Sequence, residues 1–78
     1  MSVRDLREGI EAGKVLFGVR QALKKGKGNR IFISKDTRDF TVEKLEAAEL
    51  EFDVLKSKED LAKELNLDFE CEVFTLVK

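Results

Sequence analysis

Seventy-eight residues suffice for one small domain, and a chain this short buries only about 60% of the surface it exposes when unfolded. Hydrophobic residues make up 42% and charged residues 40%, so disorder is not expected. The lack of histidine and the single cysteine, Cys71, exclude an internal disulfide, Cys/His zinc sites, and Ser-His or Cys-His catalysis.

Asp5–Ala12 reads as a helix, with Leu6 and Ile10 on one face and Gly13 as its stop. Val15-Leu16-Phe17, bounded by Gly13 and Gly18, is predicted to be a short buried strand. A second helix is expected over Val19–Lys25, with Val19, Ala22 and Leu23 inward, Lys24 and Lys25 in its last turn, and Gly26 at its end. The clearest strand is Arg30–Ser34, whose consecutive Ile31, Phe32 and Ile33 imply burial on both faces. Thr41–Leu50 is predicted as a third helix, with Val42, Leu45 and Ala48 inward and Asp39 as its cap. Glu51–Leu55 alternates like a strand; Ser57 caps a fourth helix whose buried stripe is Leu61 and Leu65. Glu70–Val77 closes the chain as a strand, with Cys71 as a small buried apolar residue. The expected fold is α/β: a three-layer α/β/α sandwich with a four-stranded mixed sheet in the order αβαβαβαβ, spanning residues 1–78 as a single domain.

The charge is unevenly distributed. Residues 14–38 hold eight bases against one acid, Asp36, whereas residues 39–78 hold twelve acids against five bases. A local excess of this size in a chain of net charge −1 points to a polyanion-binding face. The charged N-terminus has no apolar stretch of the signal-peptide kind, and no run is long enough for a membrane helix, so a cytoplasmic protein with no membrane partner is expected.

The segment Gly13–Gly26 concentrates the chemistry. A strand ends at Gly18 and a helix begins at Val19, which leaves the first helical amides without internal acceptors. Arg20 can donate two parallel bonds to a guanine edge, and Gln21 can both donate to and accept from a base. Lys24 shares a helix face with Arg20; Lys14 and Lys35 flank strands whose ends are expected to converge there and neutralise phosphates. The nucleotide-hydrolase loop Gly-x-x-x-x-Gly-Lys-Ser is absent. Neither a cofactor nor a metal site is expected.

The stretch Gly13-Lys14-Val15-Leu16-Phe17-Gly18-Val19-Arg20-Gln21-Ala22-Leu23-Lys24 resembles the start of archaeal and eukaryotic large-subunit ribosomal protein L-thirty-e, of the L-seven-Ae kink-turn RNA-binding superfamily. The likeness continues through Arg30–Asp36, Ser57–Leu67 and the final strand, with the chain shorter than the usual member around Asp39–Leu50. The resemblance implies a non-enzymatic, ribosomal RNA-binding protein that recognises a kink-turn, a sharp bend in duplex RNA with sheared G·A pairs. It implies that Arg20 and Gln21 read guanine edges beside the Gly18–Val19 turn, that Lys14 and Lys24 contact phosphates, and that Leu67 or Phe69 covers a flipped-out base. The expected partners are RNA and neighbouring ribosomal proteins, with the free chain a monomer. The alternative is a protein-interaction module of the same fold that uses its acidic half and has lost RNA.

Overall fold

The computed structural model describes residues 2–77. Its elements are α1 (Ser2–Glu11), β1 (Val15–Phe17), α2 (Val19–Lys25), β2 (Arg30–Ile33), α3 (Asp39–Ala47), β3 (Asp53–Val54), α4 (Lys58–Glu64) and β4 (Val73–Leu76), the αβαβαβαβ order expected. The sheet runs β1-β4-β2-β3 and is mixed: β4 pairs antiparallel with β1 and β2, and β3 lies parallel to β2. The last strand of the chain therefore occupies the interior of the sheet, in cross-strand rows such as Phe17–Phe74–Phe32 and Leu16–Thr75–Ile31.

Alternation along β2 divides the core. Phe32 joins Phe74, Leu6 of α1 and Leu61 and Leu65 of the α4 end on one face. Ile31 and Ile33 join Val73, Ala22 of α2 and Leu45 of α3 on the other. Three successive apolar residues are thus buried on alternating sides, as a central strand between two helical layers requires. Arg7 fastens α1 to α4, its Nε and Nη2 donating to the Glu64 carbonyl at 3.1 and 2.6 Å. Buried polar groups are mostly satisfied, Ser34 by Thr37 and Thr41 by Glu72; the Thr75 hydroxyl has no partner among the described residues.

Four expectations are corrected. Leu23 is exposed rather than inward, because α2 meets the sheet through a narrow stripe. That stripe is Ala22 and Gly26, where a Cβ on residue 26 would collide with the Ala22 carbonyl and Ile31 Cδ1; Leu23 lies about 100° further round the helix. Ala48 is exposed because it is the C-cap of α3, which ends at Ala47. Asp39 does not cap α3: Arg38 holds that position without a side-chain bond, and Asp39 is the first helical residue, where its charge suits the helix dipole. The strand expected over Glu51–Leu55 shrinks to two residues; Phe52 and Leu55 pack into opposite core layers and leave Val54 exposed at the sheet edge.

Ser57 caps α4 as expected, its Oγ accepting the Asp60 amide at 3.3 Å, and Asp36 assists by accepting the Lys58 amide at 3.1 Å. Hydrogen bonding from Ser34, ahead of the Lys58 amide and charge, holds the Asp36 carboxyl below the usual carboxylate range. Without glycines beyond position 28, α3 and α4 end on the left-handed residues Glu49 (φ 58°) and Asn66 (φ 57°). Each turn is closed by a bond back over the helix end, Leu50 to Leu45 at 3.1 Å and Leu67 to Ala62 at 2.8 Å. Asparagine tolerates that conformation readily, whereas a glutamate adopts it at a cost of about 1–2 kcal/mol. Glu49→Gly is therefore expected to raise unfolding free energy by about 1 kcal/mol, whereas Glu49→Ala, which keeps the Cβ, is not. Urea denaturation of the two variants checks this; an equal response in both would refute it.

Candidate nucleic-acid interface

β1 passes into α2 through Gly18, whose φ of 97° and ψ of 157° lie in a region essentially closed to residues with a Cβ. Its amide donates to the Val73 carbonyl at 2.9 Å, and its carbonyl accepts the Ala22 amide at 3.3 Å, so the turn is pinned to the interior strand and the helix together. As N-cap it supplies no side chain to the first-turn amides. Val19 packs half-buried against the α2/α3 layer and anchors the turn.

Arg20 and Lys24 are exposed and lie four residues apart on one face; Gln21, beside them, is half-buried. Among the described residues, Arg20 and Lys24 form no ion pair, and no partner occupies the Gln21 carboxamide. The basic segment divides on this point. Arg30 is held by Asp5 at 3.2 Å and Asp53 at 3.7 Å, and Arg38 by Glu72 at 3.1 Å. Lys14, Arg20, Lys24, Lys25, Lys27 and Lys35 carry their charge unpaired among the described residues.

β1, β2 and β3 all run the same way, so their carboxyl ends share one end of the sheet. That end gathers the Gly18 turn, Arg20, Gln21 and the exposed Lys35 that follows β2. Lys14 is not brought there. It precedes β1 and borders a recess with Asp5, Glu8 and Arg30 at the opposite end, separated from Gly18 by the strand, about 13 Å for four residues. The expected convergence of Lys14 with the turn is therefore corrected. Strand direction alone carried this signal, since a residue before a strand and one after it cannot share a sheet end.

The segment 65–71 lies beside the turn. Phe69 is 49% exposed, and its ring stands edge-on to Phe17, the residue before Gly18, at 5.3 Å. Phe17 in turn meets buried Phe74 at 5.7 Å, and Leu67 packs half-buried against the α1/α4 layer. The acids near this loop differ in state. Glu72 is turned inward onto Arg38 and the Thr41 hydroxyl, whereas Asp68 and Glu70 flank Phe69 exposed. Cys71 is half-buried rather than fully so; its thiol donates to the Val73 carbonyl at 3.1 Å, and burial pushes its pKa up.

One residue escaped the sequence reading. Phe40, in the first turn of α3, is 48% exposed, with the Arg38 guanidinium 4.7 Å and the Lys44 ammonium 5.5 Å from its ring centroid. Its position off the Val42/Leu45 stripe was the available sign. Among the described residues no group of three or more acidic, Cys or His side chains could hold a metal ion, and no helix is long and apolar enough to cross a membrane.

No protein-family model and no curated protein sequence matches the chain. Solved structures do share its fold. A Giardia lamblia 15.5-kD RNA-binding protein superposes with a TM-score of 0.80 at 20% identity, over 97% of this chain and 70% of its own. A Bacillus halodurans protein of unknown function gives a TM-score of 0.80 at 17% identity, over 97% of this chain and 83% of its own.

Proposed function

We propose that residues 1–78 act as one RNA-binding domain that recognises a kink-turn-like bend, as a cytoplasmic ribosomal or other ribonucleoprotein component of the L-thirty-e type. The observation that carries this reading is the Gly18 turn. There an uncapped helix start, a guanidinium, a carboxamide and the Lys24 ammonium stand together, and none of the three side chains is engaged by the rest of the described protein. A regular A-form duplex hides its base edges in a deep, narrow groove, so such a short helix end suits RNA whose groove has been opened by a bend. Arg20 and Gln21 take the base edges; Lys24 and Lys35 take phosphates on either side. Phe69, propped on Phe17, offers an apolar cover for a base extruded at the bend. The RNA-binding Giardia lamblia neighbour of the same fold supports the reading at the level of RNA binding.

The paired arginines make the assignment selective: Arg30 and Arg38 are tied to carboxylates and are structural cations here, outside the phosphate-binding set. A gel-shift titration with kink-turn RNA at physiological salt tests the proposal, with a shift expected at or below micromolar protein. Lys24→Ala should weaken binding to bent and straight RNA alike and lower the slope of log K against log salt by about 0.7–0.9, the share of one phosphate contact. Absence of any shift would favour the interaction-module alternative, in which the exposed acids beside Phe69 meet a basic protein.

A further inference from the structure

We infer that Phe40 is a second base-stacking platform, which takes an unpaired nucleotide outside the bend; the inference rests on the RNA-binding reading above. Phe40 is among the largest apolar side chains left exposed, and it belongs to neither core layer. Phenylalanine contributes little to helix formation, so propensity does not account for it in an exposed first turn. α3 starts beyond the carboxyl end of β2, so Phe40 shares a sheet end with Gly18, Arg20 and Lys35. It lies on the α2/α3 side, whereas Phe69 rests on Phe17 of the α1/α4 side. The two exposed rings thus flank the turn from opposite layers, and one extruded base cannot serve both.

The surroundings define the occupant. Arg38 and Lys44 both lie over the ring, Arg38 at 4.7 Å and Lys44 at 5.5 Å from its centroid, so cations stand against the exposed aromatic surface. Glu72 is engaged by Arg38 and Thr41, which holds the guanidinium over the ring. Asp39, Glu43 and Glu46 also stand exposed on α3, so the positive charge near the ring is confined to Arg38 and Lys44. A flat aromatic group attached to a phosphate meets these demands together: the base on the ring, the phosphate on Lys44. Every base has a π-face, so the platform selects unpaired nucleotides without selecting sequence.

The test compares three kink-turn RNAs, one blunt and two extended by five unpaired nucleotides on one strand or the other, against wild-type protein, Phe40→Ala and Phe40→Trp. Wild type and Phe40→Trp should favour one extended RNA over the blunt form by about 5- to 150-fold, the range of one stacked base. Phe40→Ala should lose that preference while binding the blunt RNA as wild type does. Equal preference in wild type and Phe40→Ala, or no preference in wild type, would overturn the platform and leave the Gly18 site intact. Failure of wild type to bind any of the three RNAs would overturn both.

Discussion

The Arg20→Ala, Gln21→Ala double variant is expected to bind a kink-turn RNA no more tightly than a straight duplex of the same length. Each side chain that reads a base edge with two hydrogen bonds discriminates by about 1–3 kcal/mol, so removing both should erase on the order of 100-fold preference. Residual affinity should remain, because Lys24 and Lys35 still neutralise phosphates and that contribution is blind to sequence. The two residues lie in the first turn of α2, Arg20 exposed and Gln21 without a hydrogen-bond partner among the described residues. Alanine is also the better helix former, so the variant should melt at or slightly above the wild-type temperature. Competition of labelled kink-turn RNA against both unlabelled RNAs supplies the measurement. A preserved preference in a folded double variant would dismiss the roles given to Arg20 and Gln21, whatever the overall affinity.

Phe74→Ala is the substitution expected to cost the fold most. Phe74 is fully buried in β4, between Phe17 and Phe32 in register, and carries the layer formed with Leu6, Leu61 and Leu65. Truncating a buried phenylalanine typically costs 3–5 kcal/mol. A domain of 78 residues holds about 4–12 kcal/mol in all. The variant should therefore lose a large share of its stability, with the urea midpoint lowered by about 3–5 M at a slope near 1 kcal/mol/M. It should also loosen Phe69, which reaches Phe74 only through Phe17, so surviving folded protein should bind bent RNA less well than wild type. A shift below about 1 M would show that the two aromatic neighbours collapse into the space.

Much of the architecture was legible before any coordinates. The Ile31-Phe32-Ile33 run, the turn from Phe17 through Gly18 into Val19, the Leu61/Leu65 stripe and the Ser57 cap are each set by residues within one or two turns of each other. Local conformation is an interaction between near neighbours, so its periodicity survives in the chain as written. The exposure of Arg20 and Lys24 was legible in the same way, from their place opposite Ala22 on one short helix.

What remained was decided between distant residues. Nothing local places the last strand between β1 and β2, yet that placement gives Gly18 its Val73 acceptor and props Phe69 on Phe17. The same holds for charge: Arg30 and Arg38 are indistinguishable from Arg20 in the chain, and only packing delivers Asp5, Asp53 and Glu72 to pair the first two and leave the third without an ion pair among the described residues. The amino-acid order determined the elements and their apolar faces, since these follow from backbone period and side-chain character. Tertiary structure alone decided which cations are neutralised and which aromatic rings stay at the surface, because those outcomes depend on contacts that close over loops of tens of residues.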